Sequence, residues 1–227
     1  MTLMEHAGRR VVLPEEPLRC GLTWISTGQL ATAERVLGRT VRRLAQHVRA
    51  GGLVVGLEPS CTAVFRSDAP ELFPGDRDVR RLRDQTVTLA ELLTEHSPGY
   101  EPPHLPERSA KALAQVHCHQ HAVLDWQADR TLLHRAGVDA EQLDSGCCGL
   151  AGSFGFEPGH LEVSEACAER VLLASAPPGS PGSSYGVAPG ARPTTPSRMA
   201  RALALAGTGL ADLAAAATAV RFVGKKQ

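Results

Sequence analysis

The chain has 227 residues, and its 24 lysines and arginines are balanced by 24 aspartates and glutamates, which gives a formal net charge of zero and a pI near 7.1. A chain of this length can hold one large domain or two small ones around a buried core, so it needs no disulfide scaffold to fold. The balanced charge provides no overall positive field that would attract phosphates. We therefore expect no nucleic-acid partner.

The N-terminal sequence MTLMEHAGRRVVLPEEP carries charges from Glu5 onward and has no apolar run of signal-peptide length. No later stretch approaches the length of a membrane span, so we expect no transmembrane segment. The expected location is the cytoplasm, with peripheral attachment to the inner face of the membrane through a partner as an alternative. Cytoplasmic thiols stay reduced, so the six cysteines favour metal binding or redox chemistry over structural disulfides.

Strands and helices alternate in the first part of the chain. The pattern predicts a strand at 10–13, a helix that is capped by Ser26 or Thr27 and runs to about residue 50, a strand at 53–57 and a second helix over 77–95. The run LVVGL is continuously apolar, as is typical of a strand buried in a parallel sheet. Apolar residues at helical spacing predict the buried helix faces: Leu30, Ala33, Leu37, Val41, Leu44 and Val48 in the first helix, and Val79, Leu82, Leu89 and Leu93 in the second.

The alternation restarts after a proline-rich linker at 98–109. The segment ALAQVH predicts a strand that ends at Cys118, WQADRTLLHRAG predicts a helix, and a last helix is predicted from about Pro158 to Leu173. The Pro/Gly/Ser-rich tract at 174–199 has almost no charge and is predicted to be disordered. An alanine-rich segment at 200–227 ends the chain.

Two short phrases recur along the sequence. ATAERVL at 31–37 matches ACAERVL at 166–172 in six of seven positions, and RCGL at 19–22 matches CCGL at 147–150. We therefore predict an α/β fold of two similar Rossmann-like lobes with parallel strands and a pseudo-twofold repeat, the first repeat at 1–97 and the second at 110–173. The cysteine turns would lie at the carboxyl ends of the strands, where open α/β sheets bind ligands.

Cys147 and Cys148 stand side by side in the glycine-rich turn DSGCCGLAGSFGFEPGH. A disulfide between sequence neighbours is strained, so two thiolates in one turn instead predict a shared metal ion or cluster. Glycines next to the cysteines would let the backbone approach a bulky cofactor, and a helix N-terminus would lower the thiol pKa. We expect Cys118 to join this site from the preceding strand. The alternatives are that these three cysteines act as redox thiols, or that they are vestigial or merely buried.

Three histidines flank Cys118, at positions 117, 119 and 121. Any of them could complete a zinc or cluster site, and His119 is the one we assign as a candidate ligand. Alternate residues on a strand face opposite sides, so at most some of these rings can point at the site. Cys20 and Cys61 form a weaker candidate pair, and Cys167 is expected to be a small core or surface residue of a helix.

At these residues the sequence resembles the cysteine-rich CCG-domain family. The resemblance rests on DSGCCGLAGSFGFEPGH, VHCHQHAVL, CGLTWISTGQL and VVGLEPSCTAVFRSDAPELFPGD, and it covers residues 1 to about 173. The sequence is most similar to the C-terminal part of bacterial FAD-linked oxidases of the D-lactate and glycolate dehydrogenase type. The same module occurs in the iron–sulfur subunits of glycolate oxidase, anaerobic glycerol-3-phosphate dehydrogenase and heterodisulfide reductase.

The resemblance implies two repeats, each with an isolated cysteine, a Cys-Cys-Gly and a Cys-x-x-Cys, that hold an iron–sulfur cluster such as [4Fe–4S] or, in some members, zinc. Such modules pass electrons between a flavin site and an acceptor. By this resemblance Cys118 is the isolated cysteine of the second repeat, and Cys147 with Cys148 forms its Cys-Cys-Gly. Cys20 matches the second cysteine of the first pair, and Cys61 the first cysteine of the Cys-x-x-Cys.

The sequence also departs from this pattern. Arg19 and Val64 stand where the first repeat would have cysteines, and no Cys-x-x-Cys follows Cys148. No Gly-rich dinucleotide fingerprint is present, so FAD is expected only on a partner chain. The simplest interpretation is a truncated or split relative, and an altered reading frame after residue 173 is a further hypothesis.

The sequence supports two candidate functions. The first is an iron–sulfur electron-transfer module, or a fragment, of an FAD-linked 2-hydroxy-acid dehydrogenase acting on lactate or glycolate, which docks on a flavoprotein dehydrogenase subunit or domain. The second is a zinc-holding or metal-free interaction domain without catalysis of its own. An independent thiol–disulfide reductase is disfavoured, because a Cys-x-x-Cys redox motif occurs nowhere in the chain.

Overall fold

The computed structural model describes residues 3–103, 112–147, 149–151, 154–175 and 221–225. The strands in these ranges are β1 (Arg9–Val12), β2 (Leu53–Gly56), β3 (Thr86–Thr88), β4 (Ala112–Ala114), β5 (Ala140–Gln142) and β6 (Arg221–Lys225). The α-helices are α1 (Leu3–His6), α2 (Leu22–Ser26), α3 (Leu30–Arg49), α4 (Pro59–Ala63), α5 (Ala69–Leu72), α6 (Arg77–Gln85), α7 (Leu89–Thr94), α8 (Gln127–Arg135), α9 (Leu161–Glu169) and α10 (Leu172–Ser175). Turns of π-helix occur at Val64–Asp68 and Gln120–Leu124, and a 3₁₀ turn occurs at Phe154–Phe156.

The chain divides into two compact units. The first consists of Met1–Pro102, His119–Leu132 and Ala216–Gln227, and the second of Pro103–Cys118 and Leu133–Ala215. Each unit contains one pair of parallel strands together with helices, so the α/β class is confirmed. The Rossmann-like pseudo-twofold repeat, with boundaries at 1–97 and 110–173, stays a prediction.

The sheet of the first unit has the strand order β1-β6-β2-β3. β2 and β3 run parallel with Val54 opposite Thr86, and β6 runs antiparallel to both β1 and β2. Val54 and Val55 are fully buried, as the continuous apolar run predicts for a parallel strand. The predicted strand at 53–57 is therefore confirmed over 53–56.

The single helix predicted over 77–95 is wrong in its middle, because α6 ends at Gln85 and β3 interrupts it before α7. The run Thr-Val-Thr is rich in β-branched residues, which pack well on a pleated sheet. Thr88 then caps α7 in a capping box with Glu91, a Thr-x-x-Glu signal that is visible in the sequence. The inward face of this region is nevertheless confirmed, since all four predicted residues are buried: Val79, Leu82, Leu89 and Leu93.

The helix predicted to start at Ser26 or Thr27 is instead two helices, α2 and α3. The Ser26 and Thr27 hydroxyls donate to the carbonyl oxygen of Thr23, so these residues end α2 rather than cap the next helix. Gly28 follows with φ of 72°, a left-handed conformation that breaks the chain direction before α3 begins.

The core of the first unit forms where α3 packs against α6 and β2. The predicted face of α3 is confirmed, because five of its members are buried: Ala33, Leu37, Val41, Leu44 and Val48. Leu30 is the exception, being 49% exposed at the first position of the helix. Fully burying one leucine or valine is worth about 1.5–3 kcal/mol, so this face is a major source of stability.

An ion pair anchors the segment that follows α4. The guanidinium of Arg66 donates to both carboxylate oxygens of Glu91, at 2.9 and 2.6 Å, and its Nε donates to the carbonyl oxygen of Thr86 at 2.9 Å. Both charged side chains are largely buried. This bidentate pair joins the π-helical turn after α4 to β3 and α7, and so fixes the direction in which α4 leaves the sheet.

The second unit is built on β4 and β5. These strands run parallel, with Ala112 opposite Ala140 and Ala114 opposite Gln142. The strand predicted from ALAQVH up to Cys118 is shorter than expected, because 115–117 lie in a loop. β5 was not predicted, since its sequence Ala-Glu-Gln has no β-branched residue and no apolar alternation. The last predicted helix, 158–173, is α9 followed by α10.

The C-terminal predictions fall largely outside the described residues. Of the tract 174–199, only residues 174 and 175 are described, at the end of α10. Of the alanine-rich segment 200–227, only β6 is described, and the sequence did not predict that strand. Among the described residues, no helix combines the length and the apolar character that crossing a membrane requires.

Asp129, near the start of α8, is a carboxyl group that burial makes harder to ionise. It is half-buried and accepts a hydrogen bond from the Gln120 side chain, with 2.8 Å between Oδ2 and Nε2. Burial raises the pKa of Asp129 to about 6, and the Gln120 hydrogen bond offsets only part of that effect. Ionising this carboxyl therefore costs more in the folded state than in the unfolded chain.

Replacing Asp129 by Asn should stabilise the protein at neutral pH. The folded pKa lies above the unfolded one, so the free energy of unfolding of the wild type falls as the pH rises from about 4 to about 6. At pH 7.5 Asp129→Asn should raise that free energy on the order of 2 kcal/mol, and at pH 4 the two proteins should be equal. Urea unfolding at both pH values measures this, and destabilisation at both would contradict it.

Candidate functional site

The carboxyl ends of β4 and β5 bring two cysteine-bearing loops to one edge of the second unit. Cys118 follows β4 and Cys147 follows β5. Because the two strands are parallel neighbours in register, their following loops leave the sheet at the same edge. Both cysteine side chains are exposed, and neither is part of a disulfide.

Hydrogen bonds tie these two loops together. Leu143 donates its N–H to the carbonyl oxygen of Ala114 at 3.0 Å, which extends the strand pairing by one step. The Gln115 side chain donates to the carbonyl oxygen of Gly146 at 3.0 Å, and it accepts a hydrogen bond from the Ser145 hydroxyl. The segment directly before Cys147 is therefore held against the segment directly before Cys118.

The turn after Cys147 points a backbone donor at its sulfur. The N–H of Gly149 donates to Cys147 Sγ at 3.3 Å. Such N–H···S bonds stabilise thiolates and tune the potential of thiolate-bound clusters. Cys148 lies outside the described residues, so its place in this turn stays a prediction.

The structure gives a further reason for glycine at position 149, besides the approach of a cofactor that the sequence predicts. Its φ is 91°, and a Cβ at this position would lie 2.1 Å from the carbonyl oxygen of Ser164 in α9. The buried Ser164 hydroxyl donates to the carbonyl oxygen of Gly149 at 2.6 Å. The glycine of the Cys-Cys-Gly thus lets the cysteine turn pack directly on the backbone of α9.

Three consecutive residues at the end of the β4 loop form a candidate metal-binding group. One ligand atom from each of His117, Cys118 and His119 lies within 4.8 Å of the others. His119 is half-buried, while His117 and Cys118 are exposed. His121 is not in this group. Mixed imidazole and thiolate donors are those that zinc prefers, so the donor chemistry here fits a metal ion.

Cys20 and Cys61 meet in the first unit, although 41 residues separate them. Their Sγ atoms lie 2.9 Å apart, and both side chains are half-buried. Two thiolates on one tetrahedral metal ion, each about 2.3 Å from it, stand roughly 3.8 Å apart. The observed spacing is shorter than this, and the assignment of Cys20 and Cys61 as cofactor ligands stays a prediction.

Side chains that the sequence analysis did not single out hold Cys20 in position. The buried Thr40 hydroxyl of α3 donates to the carbonyl oxygen of Arg19 at 2.8 Å and accepts the Arg19 N–H at 3.2 Å. Gly21 then takes a φ of 87° to begin α2. No local signal points to Thr40, because its role depends on how α3 packs against the Cys20 loop.

Cys61 is held by the tight connection from β2 to α4. A Cβ on Gly56 would lie 1.9 Å from the Thr62 hydroxyl oxygen, so the connection requires glycine at this position. Glu58 caps α4, its carboxylate accepting the N–H of Ser60 at 3.1 Å and that of Cys61 at 2.6 Å. A capping acid followed by proline is a helix-start signal, and the phrase Glu-Pro-Ser-Cys contains it.

The contact between the two sulfurs makes their ionisation unequal. The hydrogen bond from Cys61 lowers the pKa of the Cys20 thiol to about 7, against the opposing effect of burial. The same contact raises the pKa of Cys61, because a second negative charge would form next to the first. Burial raises the pKa of Glu58, but the hydrogen bonds from Ser60 and Cys61 outweigh burial and hold it below its usual value.

Comparison with known proteins gives weak but extended similarity. The chain is 26% identical over 167 residues to a subunit of anaerobic glycerol-3-phosphate dehydrogenase from Escherichia coli (strain K12), over 72% of this chain and 41% of the relative. It is 26% identical over 160 residues to lactate utilization protein A of Bacillus subtilis (strain 168), over 67% of this chain and 64% of the relative. The aligned region thus spans less than two thirds of each of these relatives.

No family model matches the chain, and no solved structure matches it. The resemblance to a subunit of anaerobic glycerol-3-phosphate dehydrogenase is confirmed as a distant similarity. Membership of the CCG-domain family stays a prediction.

Replacing Gly149 by Ala should disrupt the Cys147 turn. The new Cβ would collide with the α9 backbone in a left-handed conformation, so we expect a loss of more than about 2 kcal/mol in unfolding free energy. Gly146→Ala in the same turn is the matched control, because its Cβ would meet nothing within 4 Å, and it should change stability by less than about 0.5 kcal/mol. Urea unfolding measures both, and equal effects would show that the α9 contact is unimportant.

Replacing Cys61 by Ala should make Cys20 less reactive at low pH. Without its hydrogen-bond donor, the Cys20 thiol returns towards an ordinary pKa, and its alkylation at pH 6 should slow about fivefold. The rate of iodoacetamide labelling of Cys20 from pH 5 to 10, followed by mass spectrometry, measures this. Cys167→Ala serves as the control, and a profile unchanged by Cys61→Ala would refute the coupling.

Proposed function

We propose that the chain is an electron-transfer component of a flavoprotein dehydrogenase and holds an iron–sulfur cluster through Cys118, Cys147 and Cys148. The observation that carries this proposal is the pairing of β4 with β5, which directs the Cys118 and Cys147 loops to one edge. The Cys118 and Cys147 thiols are exposed on hydrogen-bonded loops, which suits an inorganic centre near the surface, although Cys147 is not part of the close group of His117, Cys118 and His119. Such a centre, when bound, supplies one-electron transfer.

The protein's own residues would orient and tune that centre. The Gly149 N–H would donate to the Cys147 thiolate, and the Ser164 hydroxyl would keep the turn in the conformation that aims this N–H. Cys148, as the next residue, would add a second thiolate from the same turn. A fourth ligand would come from outside the three cysteines, and His119, the residue that follows Cys118 in the chain, is our candidate for it.

The relatives support a dehydrogenase context. One is by name a subunit of anaerobic glycerol-3-phosphate dehydrogenase, and the other a lactate utilization protein. The sequence has no dinucleotide fingerprint, so FAD would lie on a partner flavoprotein that oxidises a 2-hydroxy acid such as lactate. We propose that the chain docks on that partner in the cytoplasm, or peripherally at the membrane through it, and accepts its electrons.

A zinc-holding interaction module is the second candidate. The observation that favours it is the close approach of ligand atoms from His117, Cys118 and His119. Zinc has no redox chemistry, so in this case the module would dock on a partner without transferring electrons.

Metal content per chain distinguishes the two candidates. In protein purified without oxygen, we expect iron and acid-labile sulfide in comparable amounts, and their loss in Cys118→Ser, Cys147→Ser and Cys148→Ser. Cys167→Ser is the matched control, because this half-buried cysteine lies within α9, and it should keep both. Zinc without sulfide would instead establish the second candidate, and His119→Ala should then lower the zinc content.

A flavoprotein partner can be tested once a cluster is found. Bleaching of the cluster absorbance by lactate in the presence of a catalytic amount of a flavoprotein lactate dehydrogenase is the expected result. The same experiment is repeated with glycerol 3-phosphate and a flavoprotein glycerol-3-phosphate dehydrogenase. If the cluster bleaches with glycerol 3-phosphate and not with lactate, the 2-hydroxy acid is wrong as the substrate class. Bleaching with neither would contradict the electron-transfer role.

A further inference from the structure

We propose that Cys20 and Cys61 form a redox-active dithiol, which is converted to an intramolecular disulfide by exchange with an anionic low-molecular-weight disulfide. The pair lies wholly within the first unit and includes no residue of the proposed cluster. This goes beyond the electron-transfer function, because the site moves two electrons without a metal.

The geometry of the two sulfurs carries the proposal. The Sγ atoms are 2.9 Å apart, and a disulfide bond is about 2.05 Å long, so closure needs a displacement of only about 0.9 Å. Each sulfur belongs to an anchored segment. Thr40 holds the backbone directly before Cys20, and the Glu58 carboxylate holds the backbone N–H of Cys61. These anchors keep the thiols together although they are far apart in sequence.

The reaction balances in two exchange steps. The Cys20 thiolate attacks one sulfur of R–S–S–R, releasing R–S⁻ and leaving Cys20 in a mixed disulfide with R–S. Cys61 then gives its proton to the released thiolate, and its sulfur attacks the Cys20 sulfur, forming the Cys20–Cys61 bond and releasing the second R–S⁻. The second R–S⁻ takes from water the proton that Cys20 had released on ionising, so two electrons pass from the dithiol to the disulfide, which ends as two thiols, and a dithiol reductant reverses both steps.

The order of attack follows from the unequal acidity of the two thiols. Cys20 is the stronger acid of the pair, so at neutral pH it supplies the attacking thiolate. Once Cys20 is in the mixed disulfide its negative charge is gone, and the obstacle to ionising Cys61 is removed. Both side chains are only half-buried, so a small disulfide can reach them.

The surroundings of Cys20 favour a negatively charged oxidant. A groove lined in part by Arg19, Arg39 and Arg43 borders the segment directly before Cys20, and the Arg43 guanidinium in it already forms an ion pair with Glu16. Guanidinium groups bind carboxylates through charge-assisted hydrogen bonds. We therefore assign a carboxylate-bearing disulfide as the preferred substrate class, with glutathione disulfide as the probe.

Mass spectrometry of the full chain tests the disulfide directly. The protein is equilibrated in glutathione redox buffers, trapped with an alkylating agent and digested with trypsin. Cleavage after Arg19, Arg35, Arg49 and Arg66 yields the peptides 20–35 and 50–66, each with a single cysteine. We expect these two peptides to become linked as the buffer is made more oxidising, and to separate again with dithiothreitol.

Matched variants make the result specific. Cys20→Ser and Cys61→Ser should abolish the linked peptide, and Cys167→Ser should leave its yield unchanged. Peptides 20–35 and 50–66 that stay separately alkylated at every buffer ratio would overturn the proposal. Oxidation by glutathione disulfide should be several times faster than by the cationic disulfide cystamine, and equal rates would overturn the anionic substrate class.

Metal analysis separates this proposal from the proposed function. Iron and sulfide content should be unchanged in Cys20→Ser and Cys61→Ser, and loss of iron there would make the pair cluster ligands and overturn the dithiol. If the wild-type chain holds no iron, the electron-transfer function fails, while the linked peptide remains the test of the dithiol.

Discussion

The parallel pairing of very short strands is the constraint on which the rest of the structure depends. The carboxyl ends of parallel neighbours open onto one edge, so the loops that follow them must meet there. In the second unit this brings the Cys118 loop to the Cys147 loop through β4 and β5. In the first unit β2, paired with β3, delivers the chain into α4, which carries Cys61.

Close contacts around these edges then fix where each sulfur lies. Gly149 lets the Cys147 turn rest on the backbone of α9, and Ser164 bonds back to it. Thr40 and Glu58 do the equivalent for the segments at Cys20 and Cys61. A thiol held this way loses little conformational entropy when it reacts or binds.

Four of the five described thiols fall into two chemically different groups. Cys118 and Cys147 are exposed, next to histidine rings and a backbone N–H, an environment suited to an inorganic centre that exchanges single electrons. Cys20 and Cys61 are half-buried, and their sulfurs are in contact without a disulfide bond, an environment suited to two-electron exchange. The two proposals therefore assign different redox chemistry to the two pairs of thiols.

The sequence by itself determined what depends on local pattern: the buried face of α3 and the apolar strand β2. It did not predict β3, which interrupts a predicted helix, or β6, which joins the sheet of the first unit. The pairing partners of such short strands are distant in the chain, so no local pattern reports them. The contact between Cys20 and Cys61 spans 41 residues and exists only because α3 and the β2–α4 connection converge. Only the tertiary structure decided this pairing, since periodicity reports which face is buried and not which distant side chain it meets.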